Sequence, residues 1–68
     1  MTVKVNGESR TLDAGATVEE LLEQLKLADR RSGLAVAVNR RVVPRSEYGS
    51  TPLPEGAEVE ILRAVGGG

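Results

Sequence analysis

Apolar and polar residues alternate at the start of the chain, over Met1-Thr2-Val3-Lys4-Val5. This period of two is typical of a β-strand with one buried face. Asn6-Gly7 follows at once, and both residue types tolerate the positive φ angles of a two-residue type I′ turn. The pattern therefore predicts a β-hairpin, with a second strand over residues 8–12.

The spacing of apolar residues then changes to that of a helix. Thr17 and Glu20 stand three positions apart, as in a capping box, where each side chain accepts a hydrogen bond from a free N–H of the first turn. Leu27 would lie half a turn from the apolar stripe if the helix continued, so we expect the helix to end near Lys26 and Leu27 to fold back. The stripe itself, at positions i, i+3, i+4 and i+7, consists of Val18, Leu21, Leu22 and Leu25.

The second half of the chain predicts three more strands. Residues 34–38 are continuously apolar, which favours a strand buried on both faces. Val42-Val43 begins a short strand that Pro44 ends. Residues 46–49 predict a helical turn or a loop, and residues 53–56 a β-turn.

The last strand is expected to run from Glu58 to Ala64. In that strand Val59 and Ile61 face the core, and Leu62 faces outward. A single exposed leucine is ordinary. Its position beside the end of the sequence offers a second interpretation, contact with a docking partner.

One helix with one apolar stripe indicates one helix packed on one face of a mixed sheet of four to five strands. This is an α+β two-layer domain. We assign residues 1–64 to the domain and residues 65–68 to a flexible glycine-rich tail, since glycine has no side chain to bury and loses the most backbone freedom on ordering.

Composition excludes several classes of function. The chain has 68 residues, a net charge of -1, one aromatic residue, no cysteine and no histidine. A near-neutral charge argues against nucleic acid or a membrane surface as partner, and the arginines are interpreted as a solvated surface. Without histidine or cysteine, we expect no metal site, no bound cofactor and no hydrolase-type catalytic residues, so the protein is predicted not to be an enzyme. No apolar run approaches the length of a membrane span, and the chain is predicted to be soluble and cytoplasmic.

The carboxylate of Gly68 remains as the one candidate reactive group. It is an anion at pH 7 and a poor electrophile, so another protein would have to activate it. No Cβ on Gly68 would obstruct a nucleophile, and the narrow strip Val65, Gly66, Gly67 is suited to threading into a partner's cleft. The sequence thus predicts a substrate that is passed between enzymes.

The chain resembles the ThiS family, the sulfur carriers of thiamine biosynthesis, along essentially its whole length. Three positions differ from the family pattern: a third glycine at Gly66, Tyr48 where tryptophan is common, and Ala57 where aspartate is common. The motifs that carry the resemblance are Val5-Asn6-Gly7, Ala37-Val38-Asn39, Val42-Val43-Pro44-Arg45-Ser46-Glu47, residues 56–60 and Gly67-Gly68.

The resemblance implies a ubiquitin-like β-grasp fold and a mechanism. An E1-like adenylyltransferase that uses ATP would adenylate the Gly68 carboxylate, and a persulfide enzyme would supply sulfur to form a thiocarboxylate. Thiazole synthase would then take the sulfur. Three alternatives stay open: a sulfur carrier for molybdopterin, cysteine or a secondary metabolite; a ubiquitin-like protein modifier that forms isopeptide bonds through Gly68; and a small binding module with an inert tail.

Overall fold

The computed structural model describes residues 1–27 and 33–63, and these form a five-stranded mixed sheet with one main helix. The strand order is β2-β1-β5-β3-β4, with β1 parallel to β5 and the other neighbours antiparallel. The predicted two-layer α+β architecture is therefore confirmed. The elements are β1 (Thr2–Val5), β2 (Glu8–Thr11), α1 (Val18–Gln24), β3 (Leu34–Val38), β4 (Arg41–Val43), a 3₁₀ helix (Arg45–Ser50) and β5 (Glu58–Arg63).

Two hairpins of the same type join the paired strands. In the β1–β2 turn, Asn6 has φ 49° and Gly7 has φ 87°, as the sequence predicted. In the β3–β4 turn, Asn39 has φ 50° and Arg40 has φ 69°. Positive φ at both central residues defines the type I′ turn, whose twist matches that of the flanking strands. The second hairpin therefore places an arginine where glycine is usual.

The helix begins and ends with specific caps. The hydroxyl of Thr17 accepts from the N–H of Glu20 at 3.2 Å, and the carboxylate of Glu20 accepts from the N–H of Thr17 at 3.1 Å, so the capping box is confirmed. At the other end Lys26 takes φ 61°, and the N–H of Leu27 donates to the carbonyl of Leu22 at 2.8 Å. This is a Schellman ending, which turns Leu27 back into the core.

The core lies between α1 and one face of the sheet, which we call the inner face. Tyr48, in the 3₁₀ helix, is 1% exposed and is the largest fully buried side chain among the described residues. Ala57, just before β5, is also buried. The inner face contributes Val3, Val5, Val36, Val38, Val43, Val59 and Ile61, and α1 contributes Val18, Leu21 and Leu22.

Two expectations from the sequence are wrong in detail. Strand β3 is not buried on both faces: Val36 and Val38 are buried, but Ala35 is exposed and Ala37 half-buried, because no described element covers the other side of the sheet. The β-turn lies one residue later than predicted, since the N–H of Ala57 donates to the carbonyl of Pro54 at 3.1 Å. Gly56 then takes the third turn position with φ 75°.

Candidate functional site

Strand β5 connects the fold to the predicted reactive tail. It lies at the centre of the sheet, and Arg63 is its last residue. The tail residues Val65, Gly66, Gly67 and Gly68 lie outside the described residues, so their roles stay predictions here. The described part of the site is therefore β5 and the surface around its final residues.

Strand β5 has a different partner on each side. Strand β3 pairs with it from Val59 to Arg63. On the other side the parallel pairing with β1 comprises Lys4 with Glu58 and Val5 with Val59. Beyond β1, the side-chain amide of Asn6 continues the contact: its Oδ1 accepts from the N–H of Ile61 at 2.9 Å, and its Nδ2 donates to the carbonyl of Ile61 at 3.2 Å.

The outer face of the sheet, opposite the helix, carries an apolar area beside the end of β5. Leu62 is 66% exposed and Val42 is 75% exposed. Strand pairing places Ala35 beside Leu62 and Ala37 beside Val42. These four residues, Ala35, Ala37, Val42 and Leu62, border a shallow depression of about 100 Å³, and we call them the outer apolar patch. The sequence indicated Leu62 alone, because only the order of the strands in the sheet brings Val42 into the same patch.

A second region of the outer face is charged. Lys4, Arg40, Glu58 and Glu60 line an open depression of about 490 Å³ between the two hairpin turns. Both signs of charge are present, which fits a hydrated surface better than a site for a small anion or cation. Arg41 and Arg45 are also exposed, in accord with the interpretation of the arginines as surface residues.

Within the described residues there is no group of three or more acidic, cysteine or histidine side chains that could hold a metal ion. No helix in the same residues is long and apolar enough to cross a membrane. Two of the positions that depart from the family pattern, Tyr48 and Ala57, are buried. They are therefore packing positions, and they leave the outer face unchanged.

Residues 3–68 match the family model described as "ThiS family". The sulfur carrier protein ThiS of Escherichia coli K12 is 34% identical over 68 residues, which covers 100% of both chains. The crystal structure of a thiamine biosynthesis protein (ThiS) from Geobacter metallireducens superposes with a TM-score of 0.82, at 36% identity and full coverage of both chains.

Two longer proteins also match the whole chain. The thiazole synthases of Paramagnetospirillum magneticum and Magnetococcus marinus are each 38% identical over 68 residues. The chain spans 20% of the length of each. A region similar to this chain thus occurs within proteins named for thiazole synthesis.

The fold and these similarities define the class of protein: it is a small ubiquitin-like protein of the β-grasp fold. The chain belongs to the ThiS family. The Escherichia coli relative, which it matches over the full length of both chains, is named a sulfur carrier protein.

Proposed function

We propose that the chain carries sulfur on the C-terminal carboxyl group of Gly68 and delivers it for thiazole formation in thiamine biosynthesis. The observation that carries the proposal is the match of the ThiS family model to residues 3–68, which includes the glycine run. The protein acts as a substrate of its partners and is not itself a catalyst. It binds no cofactor, works in the cytoplasm, and depends on ATP that its activating enzyme uses.

The chemistry requires activation of the carboxylate, since a carboxylate anion resists attack by a nucleophile. In the first step an oxygen of the Gly68 carboxylate attacks the α-phosphorus of ATP on an E1-like adenylyltransferase, and pyrophosphate leaves. In the second step the terminal sulfur of a persulfide on the sulfur-donating enzyme attacks the acyl carbon, and AMP leaves. A thiol then cleaves the S–S bond, which releases the thiocarboxylate on Gly68 and leaves a disulfide on the donor.

The length of the tail suits transfer between enzymes. Five residues follow Arg63, and an extended chain of that length reaches at most about 18 Å. The carboxylate can therefore enter a partner's active site while the folded domain stays at its surface. Thiazole synthase is the proposed acceptor, and the thiazole synthases that contain a ThiS-like region support this pairing.

We place the docking contact for the adenylyltransferase on the outer apolar patch. Leu62 lies six positions before Gly68, so an enzyme that covers the patch is within reach of the tail. Burying an exposed leucine side chain stabilises a complex by about 1.5–3 kcal/mol. The charged half of the outer face, around Lys4 and Glu60, would lie at the rim of this contact.

Intact mass spectrometry of the protein isolated from its native cells tests the proposal. We expect a fraction of the protein to be heavier by the mass difference between sulfur and oxygen, with the added mass on Gly68. Attachment of Gly68 to lysines of other proteins, without any thiocarboxylate form, would instead show a ubiquitin-like modifier.

Shortening the tail provides the matched test in vitro. Deleting any one of the three glycines gives the same chain, which still ends in Gly-Gly, so we expect it to retain adenylation. Deleting Gly67 and Gly68 together leaves a single glycine and should abolish ATP–pyrophosphate exchange by the adenylyltransferase while the domain stays folded. Full adenylation of the chain shortened by two residues would refute the role of the tail.

A further inference from the structure

Asn6 does more in this structure than form a turn. A type I′ hairpin needs a residue that accepts positive φ, and glycine or aspartate would meet that need as well as asparagine. The side chain of Asn6 makes its two hydrogen bonds to the backbone of Ile61, which is 55 positions away in the sequence. Its function is therefore not confined to its own hairpin.

Beyond the end of β1, the side-chain amide of Asn6 takes the place of a backbone peptide group as hydrogen-bonding partner of β5. Strand β1 ends at Val5, and the backbone N–H of Asn6 still donates to the carbonyl of Val59 at 2.9 Å. Two residues further along β5, the side-chain amide offers Ile61 one acceptor and one donor, as a peptide group of a neighbouring strand would. Asn6 thus extends the β1 side of the sheet toward the end of β5.

A second asparagine makes a related contact at the opposite end of β5. Asn39, in the β3–β4 turn, has nearly the same φ, 50° against 49° for Asn6. Its Oδ1 accepts from the N–H of Glu58 at 3.0 Å, and its own N–H donates to the carbonyl of Glu58 at 2.8 Å. The two asparagines therefore hold the first residue of β5 and a residue two positions before its last.

We propose that Asn6 is a positioning residue for activation of the tail: its amide fixes Ile61, and so sets the direction in which β5 leads toward Gly68. The inference rests on the proposed function of Gly68. A tail that leaves a strand held on both sides loses less conformational freedom on entering an active site than one that leaves a strand held only by β3. Asn39, at the start of β5, has no such influence.

The test compares Asn6→Gly with Asn39→Gly in ATP–pyrophosphate exchange, with the adenylyltransferase of the same organism and varied concentrations of the carrier. Glycine accepts the positive φ at either site, so each variant removes the side-chain amide without straining its turn. We expect Asn6→Gly to raise the KM for the carrier about tenfold, with kcat changed less than about twofold, since the reacting groups are untouched. Asn39→Gly should leave both constants within about twofold of the original.

Amide hydrogen exchange of the isolated variants supplies a readout that does not depend on adenylation. Asn6→Gly should exchange faster at Ile61, and Asn39→Gly faster at Glu58, because these are the N–H groups whose acceptors are removed. Unchanged exchange at Ile61, or faster exchange there with an unchanged KM, would overturn the positioning role. Equal rises in KM for both variants would also overturn it, since general weakening of β5 would then explain the effect.

If the proposed function of Gly68 is wrong, the exchange assay gives a different result from that expected if only the positioning role of Asn6 is wrong. In that case the unaltered chain itself would show no exchange of pyrophosphate into ATP with the enzyme. The positioning role is supported only by an active parent chain, a selective rise in KM for Asn6→Gly, and faster exchange at Ile61.

Discussion

The two faces of β5 show how this small domain divides folding from function. On the inner face Val59 and Ile61 are 1% and 7% exposed, and they pack into the single core. On the outer face the neighbouring Leu62 is 66% exposed and lies in the outer apolar patch. Burial of large side chains explains the inner residues completely. The outer patch contributes little to folding, and it is the surface for which we have proposed a docking partner.

The largest effect on stability should come from replacing Ile61, on the inner face of β5. Ile61→Ala removes buried methyl and methylene groups and leaves a cavity, which we expect to lower the free energy of unfolding by about 2–5 kcal/mol. A domain of this length has a total of only about 3–10 kcal/mol, so the variant loses a large part of its stability. Urea denaturation followed by circular dichroism measures the loss. Ile61→Val is the control, with an expected loss of about 0.5–1.5 kcal/mol, and an equal loss for both would contradict the core position of Ile61.

A smaller loss should follow from weakening the helix that covers the inner face. Thr17→Ala removes the hydroxyl that accepts from the N–H of Glu20, and we expect a loss of about 1 kcal/mol in the free energy of unfolding. Thr17→Ser keeps a hydroxyl and should lose less than half as much. The outer face is untouched, so the KM for adenylation should stay constant. Matching losses for alanine and serine would rule out the capping interaction as the cause.

A stabilising change is expected at the rim of the outer face. Arg40 has φ 69°, where a residue with a Cβ is strained, so Arg40→Gly should raise the free energy of unfolding by roughly 0.5–1 kcal/mol. Arg41→Gly is the matched control, because Arg41 lies in β4 and glycine weakens a strand. Thermal unfolding should show a higher Tm for the first variant and a lower Tm for the second. A lower Tm for Arg40→Gly would mean that its side chain stabilises the fold.

The smallest effect on stability should come from replacing Leu62, on the outer face of β5. Leu62→Ser removes an exposed side chain, and we expect the free energy of unfolding to stay within about 0.5 kcal/mol of the original value. The KM for adenylation should nevertheless rise about tenfold, because the docking contact is lost. Ser9→Ala, on the outer face in β2 and outside both the patch and the charged depression, controls for a general change of surface. If Leu62→Ser changed stability and left KM unaltered, the contrast between the two faces would fail.

Features that depend on neighbouring residues were predictable from the sequence. The capping box of Thr17 and Glu20 and the turn at Asn6-Gly7 each rest on residues at most three positions apart. The return of Leu27 to the core followed from its place off the helical stripe. Local geometry suffices in these cases, because a type I′ turn and a helix cap each need particular side chains at fixed spacing.

The face of β3 could not be predicted in the same way. Residues 34–38 are all apolar, and a period of two is therefore hidden. Whether Ala35 is buried depends on what packs over it, and in the described structure nothing covers the outer face there. The sequence also contains only a weak signal for the β3–β4 hairpin, because Arg40 occupies the positive-φ position where glycine usually indicates such a turn.

The sequence by itself determined which chemistry we propose for this protein. With no cysteine or histidine and a run of glycines, the Gly68 carboxyl group is the candidate for reaction, and the motifs point to the ThiS family. Only the tertiary structure decided the surroundings of β5: it brings Leu62 and Val42 into one patch, and it places the Asn6 amide within hydrogen-bonding distance of Ile61. Such contacts join residues distant in sequence, and strand order and register, which no local pattern specifies, bring them together.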